Sequence, residues 1–270
     1  MIYRMKLLNG SELAGYIKQR QVHQVRALIQ TDKISPKLAI IACSDNPITA
    51  IYTKLKKQYG ADILVDVDIY NIEQNEIANL INKLNIAQDI QGIILQLPLK
   101  DPKNTQELLN AIAPQKDIDG LGENAAWDTA TPMAIMWLLA GYDIDLNTKN
   151  VVIIGRGRLV GAPLKKMFDN SGVDSQVIHS QTINPQDIMK NAQVIISAVG
   201  KPGILESDMI PQNCIVIDAG TASENGVQKG DLADDVYERQ DLTVTPKKGG
   251  IGPLTVCALF DNLIRSASKK

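Results

Sequence analysis

The chain is poor in residue types on which several classes of protein depend. Only 4% of its 270 residues are aromatic, it has two histidines, and its three cysteines are far apart. Two histidines are too few for a histidine-rich metal site. An odd and sparse set of cysteines favours a reducing compartment over a disulfide framework. We therefore expect no metal site and a core made mostly of Ile, Leu, Val and Ala.

Further absences narrow the functional classes. The net charge is only −2, which gives no bulk attraction to nucleic acid or membrane. No apolar run is long enough to span a bilayer, and the opening residues MIYRMKLLNGSELAG are too polar for a signal peptide. The sequence has neither a G-x-S-x-G elbow nor a Walker A loop. We expect a cytoplasmic protein without nucleic-acid or membrane partners.

The apolar segments alternate between strand and helix periodicity along the chain. A helix is predicted after Gly10 and Ser11, and a closing helix at 253–270. Further helices are predicted at 46–60, 77–84, 105–113, 132–142 and from Leu159, and strands at 37–43, 61–70, 92–98, 151–155, 175–180, 192–200, 214–220 and 242–246. This alternation is typical of parallel βαβ units and predicts an α/β fold. We place a domain hinge in the small-residue stretch LGENAAWDTAT, which follows the polar turn at 115–120.

A glycine-rich turn lies at 151–164, VVIIGRGRLVGAPL. Gly155, Gly157 and Gly161 follow a predicted strand and open a predicted helix. Glycines in this context let the backbone approach a pyrophosphate, whose charge lies at the helix N-terminus. The spacing is looser than the common fingerprint, so a glycine turn without a ligand remains an alternative.

The residues around this turn favour one cofactor. The second strand of the predicted unit ends in HSQT (179–182), without the carboxylate that binds the ribose hydroxyls of NAD. Arg156 lies inside the turn, and a guanidinium suits a 2′-phosphate. We therefore predict NADP rather than NAD, with Arg156 and Ser180 as phosphate contacts. Arg158 is interpreted as a solvated surface residue.

Polar residues in the first half are candidates for chemistry. Tyr52 and Lys56 are four apart on a predicted helix, a spacing that by itself most often reflects surface packing. Gln96 interrupts an apolar strand near its carboxyl end, and a buried amide requires a specific partner. Asp117 and Asp119 lie in one tight loop, where an Asx-type turn is the simplest interpretation of Asp117.

These residues belong to an ordered set of motifs. Y-x-x-x-K is followed by G-x-x-x-Q-L-P-L, K-D-x-D-G, T-P, G-R-x-x-x-V-G-x-P, H-S-x-T, A-V-G-K-P-G, V-I-D-x-G and T-P-x-x-G-G-x-G-P-x-T. The set runs from Tyr52 to Thr255 and resembles the bifunctional methylenetetrahydrofolate dehydrogenase/methenyltetrahydrofolate cyclohydrolase family.

The resemblance implies a two-domain architecture and two reactions. An N-terminal α/β catalytic domain (1–128, joined by the helix 253–270) and a Rossmann-type domain (129–252) would enclose a cleft. NADP would oxidise methylene-tetrahydrofolate to the methenyl form, which water would then open to 10-formyl-tetrahydrofolate. The resemblance also implies a homodimer, with tetrahydrofolate derivatives as the partners.

The resemblance assigns roles to individual positions. Lys56 would transfer a proton with Gln96 as its partner, Tyr52 would orient the folate, and Asp119 would bind the pterin edge. Pro98, Gly250, Gly252 and Pro253 would also contact the folate. The cofactor would contact Gly155, Arg156, Gly157, Gly161, His179, Ser180, Thr182 and Gly200.

The chain departs from the family pattern at several positions. Lys247 and Lys248 replace a valine and a proline, and we predict that they meet an anionic group such as the glutamate tail of folate. The stretch between Asp119 and Thr131 is short, and Gly157 replaces a serine, which removes one possible phosphate contact. Three alternatives remain at this point: a shikimate-dehydrogenase-like enzyme, a dehydrogenase without hydrolase activity, and a non-catalytic NADP- or folate-binding regulatory protein.

Overall fold

The computed structural model describes residues 5–43, 47–224 and 227–268. Its α-helices are α1 Gly10–Ala27, α2 Pro47–Asp62, α3 Ile77–Ile86, α4 Thr105–Ala111, α5 Ala130–Gly141, α6 Gly161–Asn170, α7 Pro185–Met189 and α8 Ile251–Ser268. Its strands are β1 Lys6–Leu7, β2 Lys37–Ala42, β3 Asp66–Asn71, β4 Gly92–Leu95, β5 Val151–Ile154, β6 Ser175–Ile178, β7 Val194–Ser197, β8 Ile215–Asp218, β9 Ala222–Glu224, β10 Val227–Lys229 and β11 Thr243–Val244. The predicted alternation of strands and helices is confirmed. Asn46, at the start of one predicted helix, lies outside the described residues.

The predicted boundary between α2 and β3 is wrong. The helix was predicted to end at Gly60 and the strand to begin at residue 61, but α2 continues to Asp62 and β3 begins only at Asp66. A Cβ atom at Gly60 would lie 2.5 Å from the side chain of Val67, so this glycine allows the helix to pack closely on the strand. The apolar alternation that predicted strand from residue 61 comes from Ile63 and Val65, which are buried without being part of the strand.

The chain divides into two compact units, and one comprises Gly15–Ala130 and Val256–Lys270. Its sheet has three parallel strands in the order β3-β2-β4. Buried residues of β2, β4, α3, α4 and the adjoining segments form one core cluster: Ala39, Ile41, Cys43, Ile77, Ile81, Leu84, Ile90, Ile93, Leu95, Leu99, Leu108, Leu109 and Ile112. The carboxyl end of β4 leads directly into the segment that carries Gln96.

The other unit comprises Met1–Ala14 and Thr131–Thr255. Its sheet has six parallel strands in the order β1-β11-β8-β7-β5-β6. This unit differs from the domain bounds expected from the sequence, which assigned all of residues 1–128 to the catalytic domain. Lys6 and Leu7 pair with β11, a contact across more than 230 residues that a two-residue strand does not reveal in the sequence.

The strand order places the glycine turn at a particular point of this sheet. β5 lies between β6 and β7, so the connections that leave β5 and β6 run in opposite directions along the sheet. Ligands of open α/β sheets bind outside the carboxyl ends of the strands at such a reversal. The turn after β5 therefore lies where a doubly wound sheet binds its ligand.

Candidate active site

A buried lysine and an amide form the centre of the candidate catalytic group in the Gly15–Ala130 unit. The side chain of Lys56, on α2, is 8% exposed, and its Nζ donates to Oε1 of Gln96 at 2.8 Å. Nε2 of Gln96 donates to the carbonyl of Leu97 at 3.0 Å, which orients the amide oxygen toward the lysine. The expectation that Gln96 needs a specific partner is confirmed.

The local fold explains why these side chains meet. Gln96 follows β4 directly, and its backbone N–H donates to the carbonyl of Ile41, so it continues the ladder to β2 for one residue. Tyr52 lies one turn before Lys56 on α2 and is half-buried. Pro98 follows a cis peptide bond after Leu97 and is exposed.

Burial decides the electrostatics of this group. Removal from water lowers the pKa of Lys56, while the negative charge of Asp119 opposes that shift. The pKa of Asp119 is raised by burial, and the charge of Lys56 opposes this in turn. Gln96 contributes a strong acceptor without a charge, so it holds the amine without restoring its ammonium character. The arrangement therefore favours a lysine that exchanges its proton at a pH closer to neutral.

Asp117 shapes the loop that carries Asp119. The Asp117 side chain is 1% exposed and accepts backbone N–H groups from Gly120 at 3.1 Å, Leu121 at 3.1 Å and Gly122 at 2.7 Å. The predicted Asx-type turn is thus confirmed. Burial raises the pKa of Asp117 to about 6, against the three N–H groups that favour its charged form.

The short stretch after Asp119 is anchored by its own side chains. Nε1 of Trp127 donates to the carbonyl of Gln115 at 2.8 Å, and Oγ1 of Thr129 donates to the carbonyl of Gly120 at 2.9 Å. The guanidinium of Arg265 lies 5.1 Å from the centre of the Trp127 ring. These contacts close the segment into a compact loop.

In the other unit, the three glycines of the turn after β5 have different structural roles. Gly155 has a φ of +104°, and a Cβ at Gly161 would lie 2.1 Å from the carbonyl oxygen of Gly155. A Cβ at Gly157, in contrast, would meet no atom within 4 Å. The fold thus requires Gly155 and Gly161, whereas Gly157 leaves open space in which a ligand could approach the backbone.

The HSQT segment after β6 forms a closed turn. The backbone N–H of His179 donates to Oγ1 of Thr182 at 2.9 Å, and the N–H of Thr182 donates to the carbonyl of His179. Ser180 is exposed, as is Arg156, whose Nη2 donates to Oε1 of Gln181 at 3.2 Å. A hydroxyl and an oriented guanidinium thus lie on adjoining loops, and the segment carries no carboxylate.

The segment 249–253, which carries three of the expected folate contacts, is only partly a loop. Gly249 has a φ of +82°, and its carbonyl accepts the backbone N–H of Ser11 at 2.9 Å. Helix α8 starts at Ile251 rather than at Pro253, so Gly252 and Pro253 belong to its first turn. The helix boundary was predicted two residues too late.

Sequence reasoning missed one buried group beside Gly200. Gly200 has a φ of +73°, and the N–H groups of Val199 and Lys201 on either side donate to the carboxylate of Asp231. The GDL segment that contains Asp231 follows no strong strand pattern. Its only sequence signal was an acidic residue between a glycine and an apolar residue.

Family models match both units. The model of the tetrahydrofolate dehydrogenase/cyclohydrolase catalytic domain matches residues 8–119, and that of the NAD(P)-binding domain matches residues 129–270. The chain belongs to the tetrahydrofolate dehydrogenase/cyclohydrolase family. The resemblance seen in the motifs is confirmed, and the shikimate-dehydrogenase-like alternative is wrong.

Individual relatives of this family align over nearly the whole chain. The bifunctional protein FolD of Staphylococcus aureus (strain Newman) is 33% identical over 96% of this chain and 95% of its own length. The crystal structure of the bifunctional FolD of Campylobacter jejuni has a TM-score of 0.90 at 33% identity, covering 97% of this chain and 98% of that one. The Trypanosoma brucei enzyme, solved with an NADP cofactor and an inhibitor, has a TM-score of 0.90 at 27% identity, covering 98% of each chain. The predicted two-domain α/β fold is confirmed.

Lys247, which departs from the family pattern, has a partner within the chain. Nζ of Lys247 pairs with the carboxylate of Asp234 and lies 4.8 Å from the centre of the Tyr237 ring. Contact of this lysine with a folate tail would therefore have to displace an existing ion pair. Lys248 is exposed, and its contact with an anionic group stays a prediction.

The described residues contain neither a membrane-spanning helix nor a metal-binding cluster. Across 5–43, 47–224 and 227–268, no helix combines the length and the hydropathy needed to cross a bilayer. Over the same ranges, no cluster of three or more His, Cys, Asp or Glu side chains is arranged to hold a metal ion.

Proposed function

We propose that this protein oxidises 5,10-methylenetetrahydrofolate with NADP and hydrolyses the resulting 5,10-methenyltetrahydrofolate to 10-formyltetrahydrofolate. Membership of the family and the bifunctional FolD relatives support both activities. The observation that carries the proposal is the buried Lys56 amine, held at 2.8 Å by the neutral amide of Gln96. Such an amine is suited to proton transfer next to a cationic substrate.

The cyclohydrolase step needs a base and then an acid at one carbon. Water adds to the carbon between the two folate nitrogens, and the water loses a proton as its oxygen bonds to that carbon. The hydroxyl on that carbon then loses its proton to become the formyl carbonyl as the bond to N5 breaks; N5 takes up a proton, N10 keeps the formyl group, and one proton is released overall. Lys56 would accept the first proton and return one to N5, because its lowered pKa brings its titration toward neutral pH.

The neighbouring residues would position the substrate. Tyr52, half-buried one turn before Lys56, would pack on the pterin, and Asp119 would accept hydrogen bonds from the pterin edge. Pro98, Gly250, Gly252 and Pro253 would contribute further folate contacts. The charge of Asp119 also favours the cationic methenyl form, which is the species that water attacks.

The dehydrogenase step needs positioning more than acid–base chemistry. NADP, when bound, supplies the acceptor for the hydride that leaves the one-carbon bridge. Gly155, Gly157 and Gly161 would hold the pyrophosphate at the start of α6, and Gly200, His179 and Thr182 would line the remaining cofactor contacts. The open space at Gly157 fits a dinucleotide that approaches the backbone.

We propose NADP rather than NAD because of the residues near the ribose. Arg156 and Ser180 would bind the 2′-phosphate, and the HSQT turn after β6 offers no carboxylate that would repel it. The Trypanosoma brucei relative, solved with an NADP cofactor, supports this choice. Homodimer formation and a cytoplasmic location stay predictions from the sequence.

The test is a pair of spectrophotometric assays on the purified protein. Methylene-tetrahydrofolate is supplied with NADP or with NAD, and cofactor reduction is followed. The decay of methenyl-tetrahydrofolate is then compared with its decay in buffer. We expect reduction of NADP in preference to NAD and methenyl decay well above the buffer rate. Hydride transfer with methenyl decay at the buffer rate would instead identify a monofunctional dehydrogenase, and failure of both assays would contradict the proposal.

A further inference from the structure

A buried carboxylate organises the loop that follows β7. Asp231 is 0% exposed, and its Oδ2 accepts the Ser197 hydroxyl at 2.7 Å and the Val199 N–H at 2.7 Å. Its Oδ1 accepts the Lys201 N–H at 2.9 Å. The donors come from the end of β7 and from both sides of Gly200. One side chain therefore sets the path of the whole loop.

The loop around Gly200 has the form of an anion-binding concavity. With Gly200 at a φ of +73°, the N–H groups of its two neighbours point toward the same carboxylate. Such nests of N–H groups bind anions in many proteins. Here the protein's own Asp231 occupies the nest, so these two N–H groups are not available to a phosphate. The loop can offer a ligand only its other face and its carbonyl groups.

A second aspartate holds Asp231 in place. Asp218, at the end of β8, accepts the N–H groups of Gly220 at 2.9 Å, Asp231 at 3.0 Å and Leu232 at 3.2 Å. Two glycines make room for this arrangement. A Cβ at Gly220 would lie 2.1 Å from Cγ of Asp231, and a Cβ at Gly230 would lie 2.0 Å from Oδ2 of Asp218.

The Asp218–Asp231 network lies next to the edge of the sheet at which a cofactor would bind. β7 and β8 are neighbours, and β7 also pairs with β5, whose carboxyl end carries the glycine turn. The loops after parallel strands form the ligand-binding edge of an open sheet. The network thus fixes the loops after β7 and β8 at the edge where a dinucleotide binds.

We propose that Asp231 is a positioning residue for the cofactor, because it holds the loop 198–201 in the conformation in which Gly200 contacts bound NADP. This inference rests on the proposed function insofar as it takes NADP to be the ligand. Asp231 acts through the loop and does not itself touch the cofactor.

The decisive variant is Asp231→Asn in the full-length protein. An amide has only one acceptor oxygen. In this variant either the Lys201 N–H, or both the Ser197 hydroxyl and the Val199 N–H, would therefore lose their acceptor. Unpaired buried donors are costly, and the loop would shift to relieve them. We expect the Kd for NADP, measured by calorimetry with NADP alone, to rise about 10- to 100-fold. The KM for NADP should rise by a larger factor than that by which kcat falls.

Two further variants separate positioning from loss of stability. Asp241→Asn is the matched control. Asp241 accepts the N–H of Asn213 at 3.0 Å and pairs with Arg239. These residues lie just before β8 and β11, whereas the loop 198–201 follows the end of β7. This control should lower the melting temperature and leave the Kd for NADP within about twofold. Ser197→Ala removes one donor and keeps the carboxylate, and it should raise the Kd by about 3- to 10-fold. If Asp231→Asn does not fold, the Kd of Ser197→Ala for NADP is the measurement that tests the proposal.

The outcomes distinguish this inference from the proposed function. Unchanged NADP affinity in a folded Asp231→Asn variant, or in Ser197→Ala if the first does not fold, would overturn the inference, as would an equal loss in Asp241→Asn. A wild-type protein that binds NADP without oxidising methylene-tetrahydrofolate would contradict only the proposed function. A wild-type protein that binds no NADP would overturn both.

Discussion

The two groups of candidate site residues are built on opposite physical principles. In the Gly15–Ala130 unit, Lys56 and Asp117, which shapes the loop of Asp119, are ionisable side chains that are almost entirely removed from water. In the other unit, Arg156 and Ser180 are exposed, and glycines provide the remaining surface. Proton transfer requires a tuned pKa, which burial supplies, whereas binding a phosphate requires accessible donors and a backbone that lets the ligand approach.

The largest effect is expected from Lys56→Gln. Removing the amine should lower the cyclohydrolase kcat by about 10²- to 10⁴-fold, the range that a positioned acid–base group contributes. The measurement is the decay of methenyl-tetrahydrofolate. Lys57→Gln is the matched control, because Lys57 is the next residue on α2 and is exposed. Equal cyclohydrolase rates in the two variants would show that the buried position of the Lys56 amine does not account for its role.

The buried Asp117 should make stability depend on pH. Its pKa of about 6 in the folded protein lies above its ordinary value of 3.8, so the folded state holds more protons between these values. The free energy of unfolding should therefore fall as the pH rises from 4 to 6, by up to about 3 kcal/mol from this group. Urea unfolding at pH 4, 5 and 6 measures the slope, and Asp117→Asn should reduce it. Asp89→Asn, at an exposed carboxylate, should leave the slope unchanged, and an identical slope in all three proteins would contradict the assignment.

The glycine turn predicts a contrast between two alanine variants. Gly161→Ala places a Cβ 2.1 Å from the Gly155 carbonyl oxygen, and it should lower the free energy of unfolding by about 1–3 kcal/mol. Gly157→Ala meets no protein atom within 4 Å, so its stability should stay within about 0.5 kcal/mol of wild type. Its affinity for NADP should nevertheless fall, since the methyl group occupies space next to the backbone. Calorimetry gives both quantities, and undiminished NADP binding by Gly157→Ala would separate this glycine from the cofactor.

The smallest effect is expected from Gln181→Glu. The new carboxylate would pair with Arg156 in place of the present 3.2 Å hydrogen bond and would repel a 2′-phosphate. The ratio of kcat/KM for NADP to that for NAD should fall by about tenfold, which corresponds to about 1.4 kcal/mol. Gln186→Glu adds the same charge at an exposed position of α7 and should leave the ratio unchanged. A ratio that moves equally in both variants would indicate a general charge effect.

Local patterns predicted much of this structure. Most strands and helices follow from periodicity, whereas the short elements β1, α7, β9 and β10 were not predicted. The Asx-type turn at Asp117 follows from contacts within five residues of the chain. Gln96 could be singled out because an amide in an apolar strand requires a partner. The wrong helix end came from packing that no local pattern reveals, since the absence of a side chain at Gly60 lets α2 pack closely on Val67. The pairing of Lys247 with Asp234 also depends on the fold, and contact of this lysine with an anionic ligand stays a prediction.

The amino-acid sequence by itself determined the order of the longer strands and helices, the glycines of the turn and the family to which the chain belongs, because each depends on residues that are neighbours or on ordered motifs. Only the tertiary structure decided that Lys56 loses its water and that Asp231 occupies the nest around Gly200. Desolvation depends on every segment that packs around a group, and the Asp231 carboxylate accepts hydrogen bonds from residues up to 34 positions away in the chain. No local pattern contains that information.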